Sequence, residues 1–209
     1  GYKLKGWNTQ ADGNGTMYAD KGEILNLTPD DGAEIKLYAI WEKATYKITY
    51  AGLADEEVAS FGLPTEYKID SPVITFADYT ASIARTGYKF KGLYKDSKYK
   101  SSYKTIATGS TGDKKVYVKM AANKYKIKFV RNEASVSGSP KASGSMKTQT
   151  VTYGKTVRLT SNAFKLKGHT FKGWNTEADG SGIPYTNKAS ISNLTAVDGE
   201  TITLYAQWE

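Results

Sequence analysis

One stretch of this sequence is written twice, at its beginning and again near its end. Residues 1–15 read Gly-Tyr-Lys-Leu-Lys-Gly-Trp-Asn-Thr-Gln-Ala-Asp-Gly-Asn-Gly, and residues 168–182 read Gly-His-Thr-Phe-Lys-Gly-Trp-Asn-Thr-Glu-Ala-Asp-Gly-Ser-Gly. The match continues without a gap until Glu42 stands opposite Glu209, and 24 of the 42 paired positions are identical. A diverged copy begins at Gly87. Internal similarity of this kind predicts a fold of consecutive small repeats.

The copies divide the chain into three parts. Residues 1–43, the first repeat, carry only the second half of a repeat; residues 44–122, the second repeat, form a diverged unit; and residues 123–209, the third repeat, form a complete unit. A half-repeat lacks the strands that would pair with its own and cover its apolar face. We therefore expect the first repeat to pack on the second, to pair with another chain, or to be poorly ordered.

Apolar and polar residues alternate with a period of two along much of the chain, which predicts strands with one buried face. The pattern is clean over residues 124–129 and 35–41, and residues 65–76 are rich in β-branched and aromatic residues typical of a strand. Residues 54–61 predict one short helix that is capped by Asp55. No long amphipathic helix is indicated, so the predicted fold class is mainly β, with small sheets in tandem.

Gly-Trp pairs interrupt the alternation at the same place in the first and third repeats, as glycine does at a bulge or a close backbone approach. The tryptophans end strands at equivalent positions, where an indole is expected to close the end of a small core. We take these positions as the structural signature of the repeat. They are Gly6, Trp7, Asn8, Trp41, Gly173, Trp174, Asn175 and Trp208.

The side chains required for most catalytic sites are absent from this sequence. It has no Cys and a single His, His169, which excludes thiolate chemistry and zinc–thiolate sites and all but excludes a histidine triad. The Asp-Gly loops at Asp12 and Asp179 offer oxygen atoms, but one carboxylate per loop favours a tight turn over a calcium site. We predict no enzymatic activity, no cofactor and no metal.

The chain carries a formal net charge of +8, which favours anionic partners through long-range attraction. One lysine recurs at the same position in all three repeats, and further lysines flank it or line another strand. The candidate residues for a basic sheet face that binds sulfate or phosphate groups are Lys3, Lys5, Lys89, Lys91, Lys172, Lys124, Lys126 and Lys128. A solvated face that discourages edge-to-edge aggregation is the favoured alternative.

The repeated motif resembles the Listeria–Bacteroides repeat family, which includes the B repeat of internalin B. The resemblance rests on Gly-Trp-Asn-Thr-x-Ala-Asp-Gly-x-Gly followed by Leu-Tyr-Ala-x-Trp, and it covers essentially the whole chain. It implies β-grasp-like α+β modules arrayed on secreted or wall-attached bacterial surface proteins, commonly adhesins, without catalysis. The second repeat departs from the motif, because Leu93 replaces the tryptophan and the Asn-Thr-x-Ala-Asp-Gly loop is missing.

Together these observations predict an elongated array of small sheets that serves as a stalk or adhesive spacer on the bacterial cell surface or cell wall. Three modules with eight-residue strands would reach about 70–90 Å if stacked end to end. The alternative is a module that binds anionic glycans or cell-wall polymers through the basic face. Host glycans, wall polymers or a surface receptor are the expected partners, and self-association through the first repeat is a further possibility. Specific nucleic-acid binding and membrane insertion of this segment are not expected.

Overall fold

A computed structural model describes residues 1–138 and 141–209, and strands dominate it. The strands of the first repeat are β1 (Tyr2–Asn8), β2 (Met17–Tyr18) and β3 (Tyr38–Lys43). The second repeat contains β4 (Thr45–Ala51), helix α1 (Asp55–Ser60), β5 (Glu66–Lys68), β6 (Ile74–Thr75), β7 (Tyr88–Tyr94), β8 (Thr105–Ile106) and β9 (Lys114–Ala122). The third contains β10 (Lys124–Val130), β11 (Gln149–Thr152), β12 (Val157–Arg158), β13 (Phe171–Asn175), β14 (Pro184–Tyr185), β15 (Ser190–Ile191) and β16 (Thr201–Trp208). Two 3₁₀ turns span Phe76–Ser82 and Glu133–Ser135.

The second and third repeats share one sheet order. In the third repeat it is β11-β10-β16-β13-β14, and in the second it is β5-β4-β9-β7. The first and last strands of each repeat pair in parallel at the centre, β10 with β16 and β4 with β9. The first repeat has the order β2-β1-β3, which corresponds to β14-β13-β16. The prediction of a mainly β chain built from several small sheets is confirmed.

The third repeat has a core that the alternating pattern produces directly. Along β10, Tyr125, Ile127 and Phe129 are buried while the lysines between them are exposed. Strand β16 brings Leu204 and Ala206 against them, both with no exposed surface. The other buried members of this core are Val151, Leu159, Phe164, Trp174 and Ile191. Burial of this kind is the main stabilising term for a small domain without disulfides.

The chain forms two compact units whose limits differ from those of the repeats. The first unit contains residues Gly1–Ile83 and Gly92–Lys119, and the second contains Ala84–Lys91 and Met120–Glu209. In the first unit, the side chains of Lys43 and Asp70 form an ion pair between the first and second repeats. This exposed ion pair links the first repeat to the second, and pairing of residues 1–43 with another chain stays a prediction.

Three local predictions need correction. The strand predicted at residues 35–41 begins only at Tyr38, because the first repeat has no strand that could pair with residues 35–37. The predicted helix is present as α1, but its N-cap is Ala54, whose backbone N–H donates to Glu57 Oε2 at 3.0 Å. The single strand predicted at residues 65–76 is two short strands, β5 and β6, separated by a turn in which Ser71 N–H donates to the Lys68 carbonyl.

In the second unit, the segment Ala84–Lys91 packs on the beginning of the third repeat. The Gly87 carbonyl accepts a hydrogen bond from Asn123 N–H at 2.8 Å, and the rings of Tyr88 and Tyr153 meet edge to face with centroids 5.9 Å apart. The Asn123 side chain donates to the Ala196 carbonyl at 2.7 Å. We call these contacts the Gly87 seam. Strand β1 begins in the same way in the first unit, where Ala44 N–H donates to the Gly1 carbonyl at 2.9 Å.

The Gly87 seam includes a carboxylate whose protonation can be followed. Asp198 accepts from the Lys89 ammonium and from Lys124 N–H, and these interactions hold the pKa of Asp198 below its ordinary 3.8. A depressed carboxylate pKa stabilises the fold at neutral pH, and this contribution is lost as the pH falls through the folded-state pKa. We expect the Lys124 amide resonance to titrate with a midpoint below 3.8.

Two variants check the assignment of that titration. Asp198→Asn should abolish the change at the Lys124 amide, since the titrating group is gone. Lys89→Gln should move the midpoint upward, because it removes the principal interaction that lowers the pKa of Asp198. An unchanged midpoint in Lys89→Gln would contradict the pairing. Because Asp198 is exposed, we expect only a small effect of either variant on unfolding.

Candidate binding surface

A row of three lysines follows the outer face of β10. Lys124, Lys126 and Lys128 are exposed and alternate with buried residues, so that neighbours in the row are about 6.6 Å apart along the strand. Within residues 1–138 and 141–209, none of the three forms an ion pair. This row, which we call the β10 lysine row, is the part of the predicted basic face that the structure brings together.

The other predicted lysines have a different environment. Lys3 pairs with Glu42 at 3.0 Å, Lys89 pairs with Asp198, and Lys172 pairs with Glu209. Their charges are therefore largely balanced by neighbouring carboxylates. Lys5 and Lys91 are exposed, and each contributes to a lowered carboxylate pKa, that of Glu42 and that of Asp198 respectively, after the larger hydrogen-bond contributions.

The sequence analysis missed a cluster of tyrosine and lysine side chains in the second repeat. Lys119 Nζ lies 5.9 Å from the Tyr94 ring centroid and 5.2 Å from that of Tyr99, and the two rings meet edge to face at 5.4 Å. Tyr99 stands where the other copies have Gly13 and Gly180, and like them it has a positive φ. A tyrosine in this conformation is costly. The signal in the sequence was the substitution of an aromatic residue at a glycine position of the repeat.

The asparagine that follows each Gly-Trp pair organises the next loop from inside. Asn8 has no exposed surface; its Oδ1 accepts from Gln10 N–H and Gly15 N–H, and its Nδ2 donates to the carbonyls of Gly13 and Gly15. Asn175 repeats three of these contacts, because its Oδ1 accepts from Glu177 N–H and its Nδ2 donates to the carbonyls of Gly180 and Gly182. A buried amide with partners on both of its ends fixes the loop conformation.

The two Asp-Gly loops are tight turns, as predicted. Asp12 Oδ1 accepts from Asn14 N–H at 3.0 Å, and Asp179 Oδ1 accepts from Ser181 N–H at 3.0 Å and from its hydroxyl at 2.6 Å. Hydrogen bonds from Asn14 to Asp12 and from Ser181 to Asp179 lower the pKa of both carboxyl groups. In the part of the chain that the structure describes, no three His, Asp or Glu side chains come close enough to hold a metal ion.

Removing the buried amide should destabilise the third repeat. We expect Asn175→Ala to cost about 1–3 kcal/mol of unfolding free energy, because the loop N–H and carbonyl groups lose their partners. Urea denaturation followed by tryptophan fluorescence measures this cost. The control is Ser181→Ala in the same loop, where an exposed hydroxyl is lost and the change should stay within about 0.5 kcal/mol. Equal costs for the two variants would contradict the organising role of Asn175.

The structure can be compared with the bulge predicted at the signature glycines and with the burial predicted for the signature tryptophans. The bulge predicted at the Gly-Trp pairs is present in both β1 and β13. A Cβ on Gly6 would lie 2.4 Å from the Tyr18 carbonyl oxygen, and a Cβ on Gly173 would lie 2.7 Å from the Tyr185 carbonyl oxygen. Trp174 is 1% exposed and lies in the core. Trp41, by contrast, is 60% exposed, so its predicted place in a core is wrong.

The difference between the tryptophans arises from what covers them. Trp208 Nε1 donates to the Arg131 carbonyl at 2.7 Å, at the end of β10, and its ring packs edge to face on Phe171. Residues 1–43 contain no counterpart of β10, so the indole of Trp41 has neither that carbonyl nor that cover.

Comparison with known proteins agrees with this repeated architecture. The Listeria-Bacteroides repeat domain matches residues 1–40, 46–119 and 125–207, which is most of the chain. The chain belongs to this family. It is a repeat region of the Listeria-Bacteroides type, as the sequence motif suggested. No solved structure matches it.

Two relatives come from Evansella cellulosilytica. One, named "Putative Gly-rich membrane protein", is 32% identical over 195 residues, which cover 89% of this chain and 20% of the relative. The other, named "Putative membrane protein", is 25% identical over 173 residues, which cover 82% of this chain and 23% of the relative. The chain thus spans about a fifth of the length of these proteins. Among its described residues, no helix is long and apolar enough to cross a membrane.

Proposed function

We propose that this chain is a non-catalytic repeat region of a bacterial cell-surface protein, in which it acts as a stalk or adhesive spacer. The proposal rests on the short connections between consecutive repeats. A single residue, Ala44, separates β3 from β4, and a single residue, Asn123, separates β9 from β10. In each case the N–H of that residue is bonded to the carbonyl of a repeat glycine, Gly1 or Gly87. Short connections that are themselves hydrogen-bonded limit bending between repeats, which a spacer requires.

Small-angle X-ray scattering tests the spacer role. A compact chain of 209 residues would have a radius of gyration of about 17 Å. A thin rod of about 70–90 Å, the length that three stacked modules would reach, should give about 20–26 Å. A value close to that of the compact chain would refute the stalk. Inserting four Gly-Ser pairs after Asn123 provides the control, since a flexible hinge should broaden the distance distribution.

A second candidate function is supported by the β10 lysine row. Its three exposed ammonium groups, which have no carboxylate partner among the described residues, form a surface that sulfated glycans or anionic wall polymers can approach. The Lys119 cluster belongs to the other unit and offers a separate surface, whose two tyrosine rings can pack against the apolar faces of sugars. This function is compatible with a spacer that also adheres.

Retention on immobilised heparin in about 0.15 M salt distinguishes specific binding from long-range attraction. The test variant is Lys124→Gln, Lys126→Gln and Lys128→Gln combined. Its matched control is the combination of Lys3→Gln, Lys89→Gln and Lys172→Gln, which changes the net charge equally but removes lysines that already have carboxylate partners. Binding through the β10 lysine row should be lost only in the test variant. An equal loss in both variants would reduce the effect to net charge.

A further inference from the structure

The Lys119 cluster lies at a corner that recurs in the chain, where one loop meets the last long strand of the repeat. In the third repeat, a Cβ on Gly180 would lie 3.1 Å from Gln207 Oε1. In the second, Tyr99 and Lys119 stand at these two positions, and Lys119 Nζ lies 5.2 Å from the Tyr99 ring centroid. The corner is therefore built from equivalent positions, and its side chains can be compared between repeats.

Every position of this corner is different in the second repeat. The residues are Asn8, Gly13 and Ile40 in the first repeat, Asn175, Gly180 and Gln207 in the third, and Tyr94, Tyr99 and Lys119 in the second. The first and third repeats thus agree at two of the three positions. In the second repeat, tyrosines replace both the asparagine and the glycine, and a lysine occupies the third position.

The loop of the second repeat keeps its turn although it lacks the buried asparagine. Tyr99 N–H donates to the Asp96 carbonyl at 3.1 Å. The Asp96 carboxylate accepts from three further backbone N–H groups, those of Lys98, Lys100 and Ser101. Because Asp96 organises this loop, the asparagine position is available to the ring of Tyr94.

The charge of the corner is also reversed in the second repeat. Residues 94–101 contain three lysines and one carboxylate, that of Asp96, which is bound to the backbone of its own turn. The equivalent residues 8–16 and 175–183 contain no lysine and carry one and two carboxylates. Among the residues that the structure describes, neither Lys119 nor the three loop lysines form an ion pair. An anionic ligand would balance this local excess of positive charge.

The two rings and the ammonium group form a corner that suits a sugar residue. Tyr94 and Tyr99 meet at 73°, so they make two walls at nearly right angles, and Tyr99 is 37% exposed. Parallel rings would be needed to sandwich a flat base, whereas a puckered sugar can contact both walls through its C–H groups and the tyrosine hydroxyls through its own. Contact with both rings holds the Lys119 ammonium in place before a ligand arrives.

We propose that the Lys119 cluster is a binding site for an acidic sugar residue within a glycan chain. The sugar ring packs on Tyr99, and its carboxylate or sulfate group meets the Lys119 ammonium, which acts as a point charge. The loop lysines attract neighbouring acidic residues of the same glycan. The inference rests on the second candidate function, adhesion to anionic glycans, and assigns that function to a site that is separate from the β10 lysine row.

Titration of the ¹⁵N-labelled full-length chain with short oligosaccharides in about 0.15 M salt tests the site. A hyaluronan oligosaccharide represents host glycans, a teichuronic acid oligosaccharide represents wall polymers, and a chito-oligosaccharide is the neutral comparison. We expect saturable shifts of the Tyr94, Tyr99 and Lys119 amide resonances with at least one acidic ligand. The neutral ligand lacks the charged contact and should bind about tenfold more weakly or worse.

Two substitutions restore residues that the third repeat carries, and each should weaken binding of the acidic ligand about tenfold or more. Tyr99→Gly relieves the positive φ, so the loop should remain folded. Lys119→Gln removes the charge that meets the ligand. The matched control is Lys115→Gln on the same strand, because this lysine also lies over a tyrosine ring, that of Tyr117 at 5.5 Å, and its loss changes the net charge equally. Binding should be unchanged in the control.

Four results would overturn the inference. They are the absence of saturable shifts with either acidic ligand, equal affinity for the neutral ligand, an equal loss in Lys115→Gln, and tighter binding of a single-stranded DNA oligonucleotide to the same resonances. The last would identify nucleic acid as the occupant. The combined variant of the β10 lysine row should bind the acidic ligand as the unaltered chain does, so failure of that row and failure of the Lys119 cluster can be told apart.

Discussion

Replacing Trp174 with alanine is expected to destabilise the third repeat by about 3–5 kcal/mol, the range for removing a large buried aromatic side chain. The indole is 1% exposed, and its ring centroid lies 4.8 Å from that of Phe129, 5.0 Å from that of Phe171 and 6.0 Å from that of Phe164. Among the described residues its Nε1 has no hydrogen-bond partner. The loss is therefore a loss of packing, and the residual cavity adds to the cost.

The chain supplies its own control for this prediction. Trp7 occupies the same repeat position but is only partly buried, so Trp7→Ala should cost distinctly less than Trp174→Ala. Trp41→Ala should stay within about 1 kcal/mol, because the ring is already 60% exposed. Urea denaturation of each variant, followed by circular dichroism, gives the order. Equal costs at Trp7 and Trp174 would contradict the view that β10 and its neighbours supply the cover.

The alternation of side chains allowed much of the third repeat to be predicted from the sequence. Burial along a strand depends mainly on the residues of the strand itself, so residues 124–129 predicted β10 with the correct face inward. The Gly-Trp pairs predicted the bulges for a similar reason, because glycine is needed where Tyr18 or Tyr185 approaches the backbone. Such local signals survive in a single sequence.

Ion pairs and burial that depend on residues far away in the chain could not be predicted from the sequence in this way. Lys89 pairs with Asp198, which lies 109 residues further along the chain, so the predicted basic face was overestimated. Trp41 and residues 35–37 have the pattern of Trp208 and the beginning of β16, but residues 1–43 contain no counterpart of β10, the strand that covers Trp208 and pairs with β16. A pattern shows that a residue can be buried, whereas burial itself requires the covering element.

The candidate surface was predicted only in part for this reason. The β10 lysine row lies on one strand, and the alternation placed it correctly. The Lys119 cluster combines residues from β7, the following loop and β9, and only the aromatic residue at the Gly13 position indicated it. The φ of Tyr99 is 55°, a conformation that is costly for a tyrosine and that a glycine would adopt without strain.

Alanine at Gly87 is expected to cost about 2–4 kcal/mol, from a positive φ worth about 1 kcal/mol and overpacking worth about 1–3 kcal/mol. The φ of Gly87 is 77°, and an added Cβ would lie 2.2 Å from two ring carbons of Tyr153. That ring is held edge to face against Tyr88 in the Gly87 seam. The methyl group can be accommodated only if the ring moves and this contact is lost.

Gly168 separates the backbone contribution from the overpacking contribution. It occupies the same repeat position as Gly87 and has the same φ of 77°, but no atom lies within 4 Å of the place where an alanine methyl group would be. Gly168→Ala should therefore cost only about 1 kcal/mol, the contribution of the backbone conformation. Adding Tyr153→Ala to Gly87→Ala should recover the overpacking contribution, so that the two substitutions are non-additive, as expected for residues in direct contact. Thermal or urea unfolding of Gly87→Ala, Gly168→Ala, Tyr153→Ala and the double variant completes the comparison. If Gly87→Ala and Gly168→Ala cost the same, the ring of Tyr153 does not restrict the seam, and backbone conformation alone explains the glycine.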